Sequence, residues 1–128
     1  MEVLECYKIV RPVYGRDKIN AAIGEYVSAV SCIAGNIIGG FTAEEIGAVY
    51  AYVANKASRN EPIKRADLKI ENVREALSKI DKFLPISKAP AFTFAIEVVS
   101  DYGKAKLTMY EFCRAGLRLC GKDYLLEE

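Results

Sequence analysis

The chain has 128 residues, a length that predicts a single domain, 1–128, with a continuous core and no need for disulfide or metal staples. Its 18 basic and 17 acidic residues leave a formal charge of +1, so no strong overall field draws it to nucleic acid or to an anionic membrane. It contains no histidine, the commonest general acid–base and metal-ligating side chain, and its four cysteines show no Cys-x-x-Cys spacing; we therefore expect neither a metal site nor a cofactor.

The first clear element begins at Asp17. Apolar residues recur from there at steps of four and three, the pattern of an amphipathic helix, and the Gly39-Gly40 pair is typical of a helix end. We predict a central helix over about residues 17–38. A second stripe of small residues on this helix predicts a close helix neighbour, either in the chain or in a second copy. Together with Tyr26, this stripe is the predicted self-association surface: Gly24, Ser28, Ser31 and Gly35.

Two capping boxes predict where later helices begin. In such a box the threonine hydroxyl and a glutamate three residues on each accept a hydrogen bond from an unpaired backbone N–H. Thr42 with Glu45 predicts a helix that runs to Ser58, and Thr108 with Glu111 predicts a last helix that closes at Gly121. Between them, a narrow apolar seam surrounded by charges predicts a third helix over about 67–84.

Residues 90–102 fit two structures. Proline at the first position and glycine just past the end favour a helix. The β-branched and aromatic residues of 92–99 favour a strand that would form a β-hairpin over 92–108. The predicted fold is therefore mainly α, a compact domain of four to five helices around the 17–38 helix, with the hairpin as the alternative for this segment.

The basic residues concentrate in one segment. Residues 56–88 hold nine basic and five acidic groups, a surplus of +4. Such a surplus favours contact with nucleic acid phosphates, and the other interpretation is a charged face in water. The predicted phosphate-binding residues are Lys64, Arg65, Lys69, Arg74, Lys79 and Lys82. With helices at 43–58, 63–70 and 72–84 and a hairpin at 92–108, the element order resembles a winged helix-turn-helix, which would imply a DNA-binding regulator.

The sequence also predicts where the protein works. No basic stretch precedes an apolar one at the N-terminus, and the uncharged run of residues 26–43 contains three glycines, so we expect a buried helix in a soluble intracellular protein and no membrane span. We expect the cysteines to be small buried hydrophobes in a reducing compartment. The absence of glutamine and histidine is compatible with a thermophilic source.

These observations predict a non-enzymatic, self-associating structural or scaffold subunit of the coat, filament or complex-assembly type. Its expected partners are further copies of itself or another protein, with nucleic acid as an additional partner through residues 56–88. A winged-helix DNA-binding regulator is the alternative. An enzyme that works without histidine is the third hypothesis.

Overall fold

A computed structural model of the chain describes residues 8, 11–31, 38–86, 97, 100, 103 and 107–127. These residues form a mainly α-helical fold, as the sequence predicts. The α-helices whose bounds lie in the described ranges are α1 (Arg16–Val30), α2 (Ala43–Ser58), α3 (Ile70–Lys79) and α4 (Met109–Leu119). Two short 3₁₀ helices lie at Arg65–Leu68 and Asp123–Leu125, and the two-residue strands are β1 (Val13–Tyr14), β2 (Ile63–Lys64), β3 (Lys82–Phe83) and β4 (Leu126–Glu127).

The centre of the fold is α2 and not the predicted 17–38 helix. Every residue of α2 from Ile46 to Asn55 is buried, whereas α1 buries one stripe, which includes Ile19 and Val30, and exposes the opposite side. The predicted end of the first helix at residue 38 is also wrong, because α1 ends at Val30 and Ile38 forms a parallel β-bridge with Leu107. The small alanines of α2 allow neighbouring elements to approach it from all sides.

Helices α1 and α2 approach most closely at Gly47. A Cβ atom built there would lie 2.6 Å from the Cα of Val27. The predicted small stripe on α1 does not provide this contact, since a Cβ on Gly24 would meet nothing within 4 Å in the described part of the chain. The close neighbour predicted for the stripe, either in the chain or in a second copy, is not among the described residues at Gly24 and stays a prediction.

The third helix is shorter than the predicted 67–84. Lys69 is extended (φ −68°, ψ 136°) and separates the first 3₁₀ helix from α3, which ends before the extended Ile80. Arg16, in the first turn of α1, binds the end of α3. It donates to the carbonyl oxygens of Leu77 (3.0 Å), Ser78 (2.7 Å) and Ile80 (2.9 Å). The chain then turns into β3, which pairs antiparallel with β1 and buries Phe83 completely.

Both predicted capping boxes are confirmed. The Thr42 hydroxyl accepts from Glu45 N (3.2 Å), and the Glu45 carboxylate accepts from Thr42 N (2.9 Å). The pKa of Glu45 is lowered, chiefly by that bond from the Thr42 backbone. At the start of α4, Thr108 and Glu111 exchange the same pair of bonds, at 3.1 and 3.0 Å.

The alternatives for residues 90–102 lie mostly outside the described residues. Glu97 and Ser100 are helical. The strand that follows α3 pairs with β1, while β2, the strand before α3, pairs in parallel with β4. Because most of the predicted wing, 92–108, lies outside the described residues, the winged-helix alternative stays a prediction.

Candidate nucleic-acid interface

Three of the six predicted phosphate-binding residues lie together. Lys64, Arg65 and Lys69 line a surface depression of about 620 Å³ that Ala66 and Glu127 complete. All three side chains are exposed. They come from β2, the first 3₁₀ helix and the extended residue after it, so one tight turn of the chain presents three cations on one side. We call these three residues the cationic cluster.

The other three predicted residues are elsewhere. Arg74 lines a different depression with Arg16, between α1 and α3. Lys79 forms an ion pair with Glu75 at 2.8 Å, one turn earlier on the exposed face of α3, and this bond lowers the pKa of Glu75. Lys82 lies in β3. The six residues therefore do not line one depression, because Arg74 and Lys79 lie on the short α3 and Lys82 lies in β3.

Hydrogen bonds fix the backbone under the cationic cluster. The Asp67 carboxylate accepts from Lys64 N at 3.1 Å, and Asn72 Nδ2 donates to Ala66 O at 2.8 Å. Tyr52 of α2 lies close to Asp67; burial, and secondly the Asp67 charge, raises the pKa of Tyr52 to about 12. The turn therefore lies against the central helix.

None of the described carboxylates forms an ion pair with the cationic cluster. In the described ranges, the ion pair within 4.0 Å is that of Lys79 with Glu75, and no carboxylate there lies at this distance from the side-chain nitrogens of Lys64, Arg65 or Lys69. Asp67, in the same turn, accepts from the Lys64 backbone instead. Glu127 is opposite Lys64 in the β2–β4 register and lines the same depression without an ion pair. Three neighbouring cations that form no ion pair with these carboxylates favour the binding of an external anion.

A larger cleft of about 920 Å³ adjoins the cluster and shares Arg65 and Lys69 with it. It lies where the first turns of α3 and α4 meet. Glu71 and Glu111 also line it. Its apolar lining comprises Phe41, Leu68, Ile70, Leu107, Met109 and Tyr110.

Arg65 and Tyr110 connect the cluster to the cleft. The guanidinium carbon of Arg65 lies 4.3 Å from the centre of the Tyr110 ring, a cation–π contact. Sequence reasoning missed Tyr110 and the cleft. The box that begins α4 places Tyr110 in its first turn, but nothing in the local sequence shows that this turn meets residues 65–71.

The predicted self-association residues are only partly at the surface. Gly24, Ser28 and Ser31 are exposed on α1, and Gly35 lies outside the described residues. Tyr26 is wrong as a surface residue, since it is 2 % exposed. Its ring packs edge-on against Tyr50 and Phe83, and its hydroxyl accepts from Ile86 N at 2.6 Å.

The two cysteines that the structure describes, Cys113 and Cys120, differ in their bonding. Cys113 is a free thiol in the core, and burial raises its pKa to about 12. Cys120 is disulfide-bonded, so the prediction of reduced cysteines is wrong for this residue. Across the described ranges, no three Cys, Asp or Glu side chains form a group that could hold a metal ion.

No helix in the described part of the chain has both the length and the apolar character needed to cross a bilayer. No family model matches the sequence, and neither the curated proteins nor the solved structures contain a match.

Proposed function

We propose that the protein is a non-enzymatic structural or scaffold subunit that contacts nucleic acid phosphates through Lys64, Arg65 and Lys69. The observation that carries the proposal is the cationic cluster itself: three exposed cations on a hydrogen-bonded turn that form no ion pair with the carboxylates of the described residues. Lys and Arg side chains in this arrangement bind phosphate oxygens without reading sequence.

The resolved pKa shifts of the described residues lie in the core and on the helix surfaces. Catalytic groups with perturbed pKa values usually gather in a cleft. Here burial raises the pKa of Tyr26, Tyr52 and Cys113, and surface hydrogen bonds lower that of Glu45 and Glu75. None of these five groups lines the 920 Å³ cleft.

Self-association is the second part of the proposal. It places the exposed small residues of α1, Gly24, Ser28 and Ser31, against a second copy, because small residues let two helices approach closely. A Cβ added at Gly24 would meet no described residue within 4 Å, so a larger side chain there should disturb contacts between copies and not the packing of the monomer. Gly24→Leu should therefore lower the native mass measured by light scattering while the monomer stays folded. An unchanged native mass would contradict this part.

An intracellular location belongs to the same proposal. The Cys120 disulfide narrows the choice of intracellular settings, because disulfides persist in few of them; the interior of hyperthermophilic cells is one.

The phosphate contact is tested with two triple variants of equal charge change. Replacing Lys64, Arg65 and Lys69 by alanine should weaken binding to all nucleic acid sequences alike and reduce the salt slope by about one for each phosphate that is no longer bound. The control, in which Arg74, Lys79 and Lys82 become alanine, removes the same charge elsewhere and should keep most of the binding. A parent protein that binds no nucleic acid at low salt, or two variants that bind equally weakly, would contradict the proposal.

A further inference from the structure

We infer that the nucleic acid is single-stranded, with phosphates on the cationic cluster and an unpaired base in the cleft beside it. This inference rests on the proposed phosphate contact and adds the class of partner.

The two depressions are neighbours. Arg65 and Lys69 line both of them, so a ligand bound to the cationic cluster lies beside the cleft. One side of the surface offers charge and the other offers apolar and aromatic groups. A single strand has the matching pair of features, a charged backbone and exposed base faces. A duplex offers its phosphates but hides its base faces in the stack.

Tyr110 holds the Arg65 side chain in place. The guanidinium carbon lies 4.3 Å from the centre of the Tyr110 ring, while the residue as a whole is exposed and accessible to a ligand. Unpaired bases stack on arginine planes as well as on aromatic rings. Because the contact with Tyr110 already orients the side chain, little rotamer freedom is lost when a base binds.

The cleft also has a size and a lining that suit an unpaired base. Its volume of about 920 Å³ falls within the range of small-ligand pockets. Phe41 and Tyr110 are half-buried in its wall, and Met109 is buried beneath them. The two aromatic rings and the polarisable methionine provide contacts that tolerate any base, so we expect little sequence preference.

The two glutamates of the cleft have different effects. The Glu111 carboxylate accepts from Thr108 N and is held at the start of α4. Glu71 is exposed in the first turn of α3 and opposes a phosphate on Lys69. Glu71→Gln should therefore tighten single-strand binding about two- to fivefold at low salt.

The inference is tested by fluorescence anisotropy on the full chain with three probes. They are a mixed-sequence DNA strand of about twelve nucleotides, a hairpin duplex with the same number of phosphates, and an abasic strand of equal length and charge. The intact strand should bind about tenfold more tightly than the abasic strand, and more tightly than the duplex.

Variants of the stacked pair separate stacking from charge. Arg65→Lys keeps the charge but removes the plane, so it should reduce the preference for the intact strand while abasic binding persists. Tyr110→Ala should have the same effect. Tyr124→Ala is the matched control, because Tyr124 is 69 % exposed and does not line the cleft.

Each outcome decides between the hypotheses. Equal binding of all three probes, or tighter binding of the duplex, would overturn the single-strand inference and leave the phosphate contact standing. No binding of any probe would overturn both. A preference for the intact strand that survives both Arg65→Lys and Tyr110→Ala would remove the cleft as the place of the base, since these two substitutions take away the Arg65 plane and the Tyr110 ring.

Discussion

Replacing Gly47 by alanine should destabilise the protein although alanine is the better helix former. The added methyl carbon would lie 2.6 Å from both Cα and Cγ2 of Val27 and 2.8 Å from its backbone nitrogen. Ordinary contacts of a Cβ atom begin at 3.4 Å, so α1 and α2 would have to separate by the difference between 2.6 and 3.4 Å, roughly 0.8 Å. A side-chain rotation cannot relieve this clash, because two of the three atoms are backbone.

The magnitude follows from two opposing effects. Overpacking of a core costs about 1–3 kcal/mol, and a clash with backbone lies at the upper end of that range. Replacing glycine by alanine inside a helix returns about 1 kcal/mol. The net loss should be about 2 kcal/mol, which lowers the melting temperature of a chain of this length by about 8 °C.

Gly24→Ala is the matched control, because Gly24 is also a mid-helix glycine and its added methyl would meet no described residue within 4 Å. Measured on the monomer, this substitution should raise the free energy of unfolding by about 0.5–1 kcal/mol. Thermal and urea unfolding, both followed by circular dichroism, measure the two variants against the parent. A Gly47→Ala protein that melts at or above the parent temperature, or a Gly24→Ala protein that is destabilised as much as Gly47→Ala, would refute the packing argument.

Three further predictions concern single side chains. Thr42→Ala and Thr108→Ala should each lower the unfolding free energy by about 1 kcal/mol in urea titrations, and serine at either position should retain most of it, since both hydroxyls accept a backbone N–H. Tyr26→Phe should lower the unfolding free energy by about 1–3 kcal/mol because it leaves the buried Ile86 N–H without its acceptor. Burial raises the Tyr26 pKa from 10.0 to about 12, so stability present below pH 10 should decline as the pH rises towards 12, and Tyr26→Phe should flatten that decline. Cys113 should resist iodoacetamide at pH 8 until the protein is denatured, because burial raises its pKa to about 12; rapid labelling of the native protein, read by mass spectrometry, would contradict the buried position.

Local sequence determined the helix starts. The boxes at Thr42 and Thr108 form as predicted because both partners of each bond lie within three residues of one another. The apolar face of α4 was also predictable, since helical spacing alone places Phe112, Cys113 and Leu117 on one side, where all are buried. These features depend on no other part of the chain.

Tertiary structure decided where helices end and which surfaces they share. The apolar seam of residues 67–84 suits a long helix, but Arg16 binds the carbonyl oxygens at its middle and Phe83 is buried beside β1 instead. The close α1–α2 contact lies at Gly47, although the small stripe of α1 carries the stronger sequence pattern. A stripe of small residues shows that another helix can pack closely against that face. The shape of the neighbouring helix determines where the close contact forms.

The candidate site divides in the same way. Lys64, Arg65 and Lys69 lie within six consecutive residues, so the sequence alone kept them together once the turn was fixed by Asp67. Tyr110 stacks on Arg65 from 45 positions further along the chain, and only the packing of α4 beside the first 3₁₀ helix brings them to 4.3 Å. Contacts between distant segments depend on the shape of the whole core, and no local pattern of residue types specifies that shape.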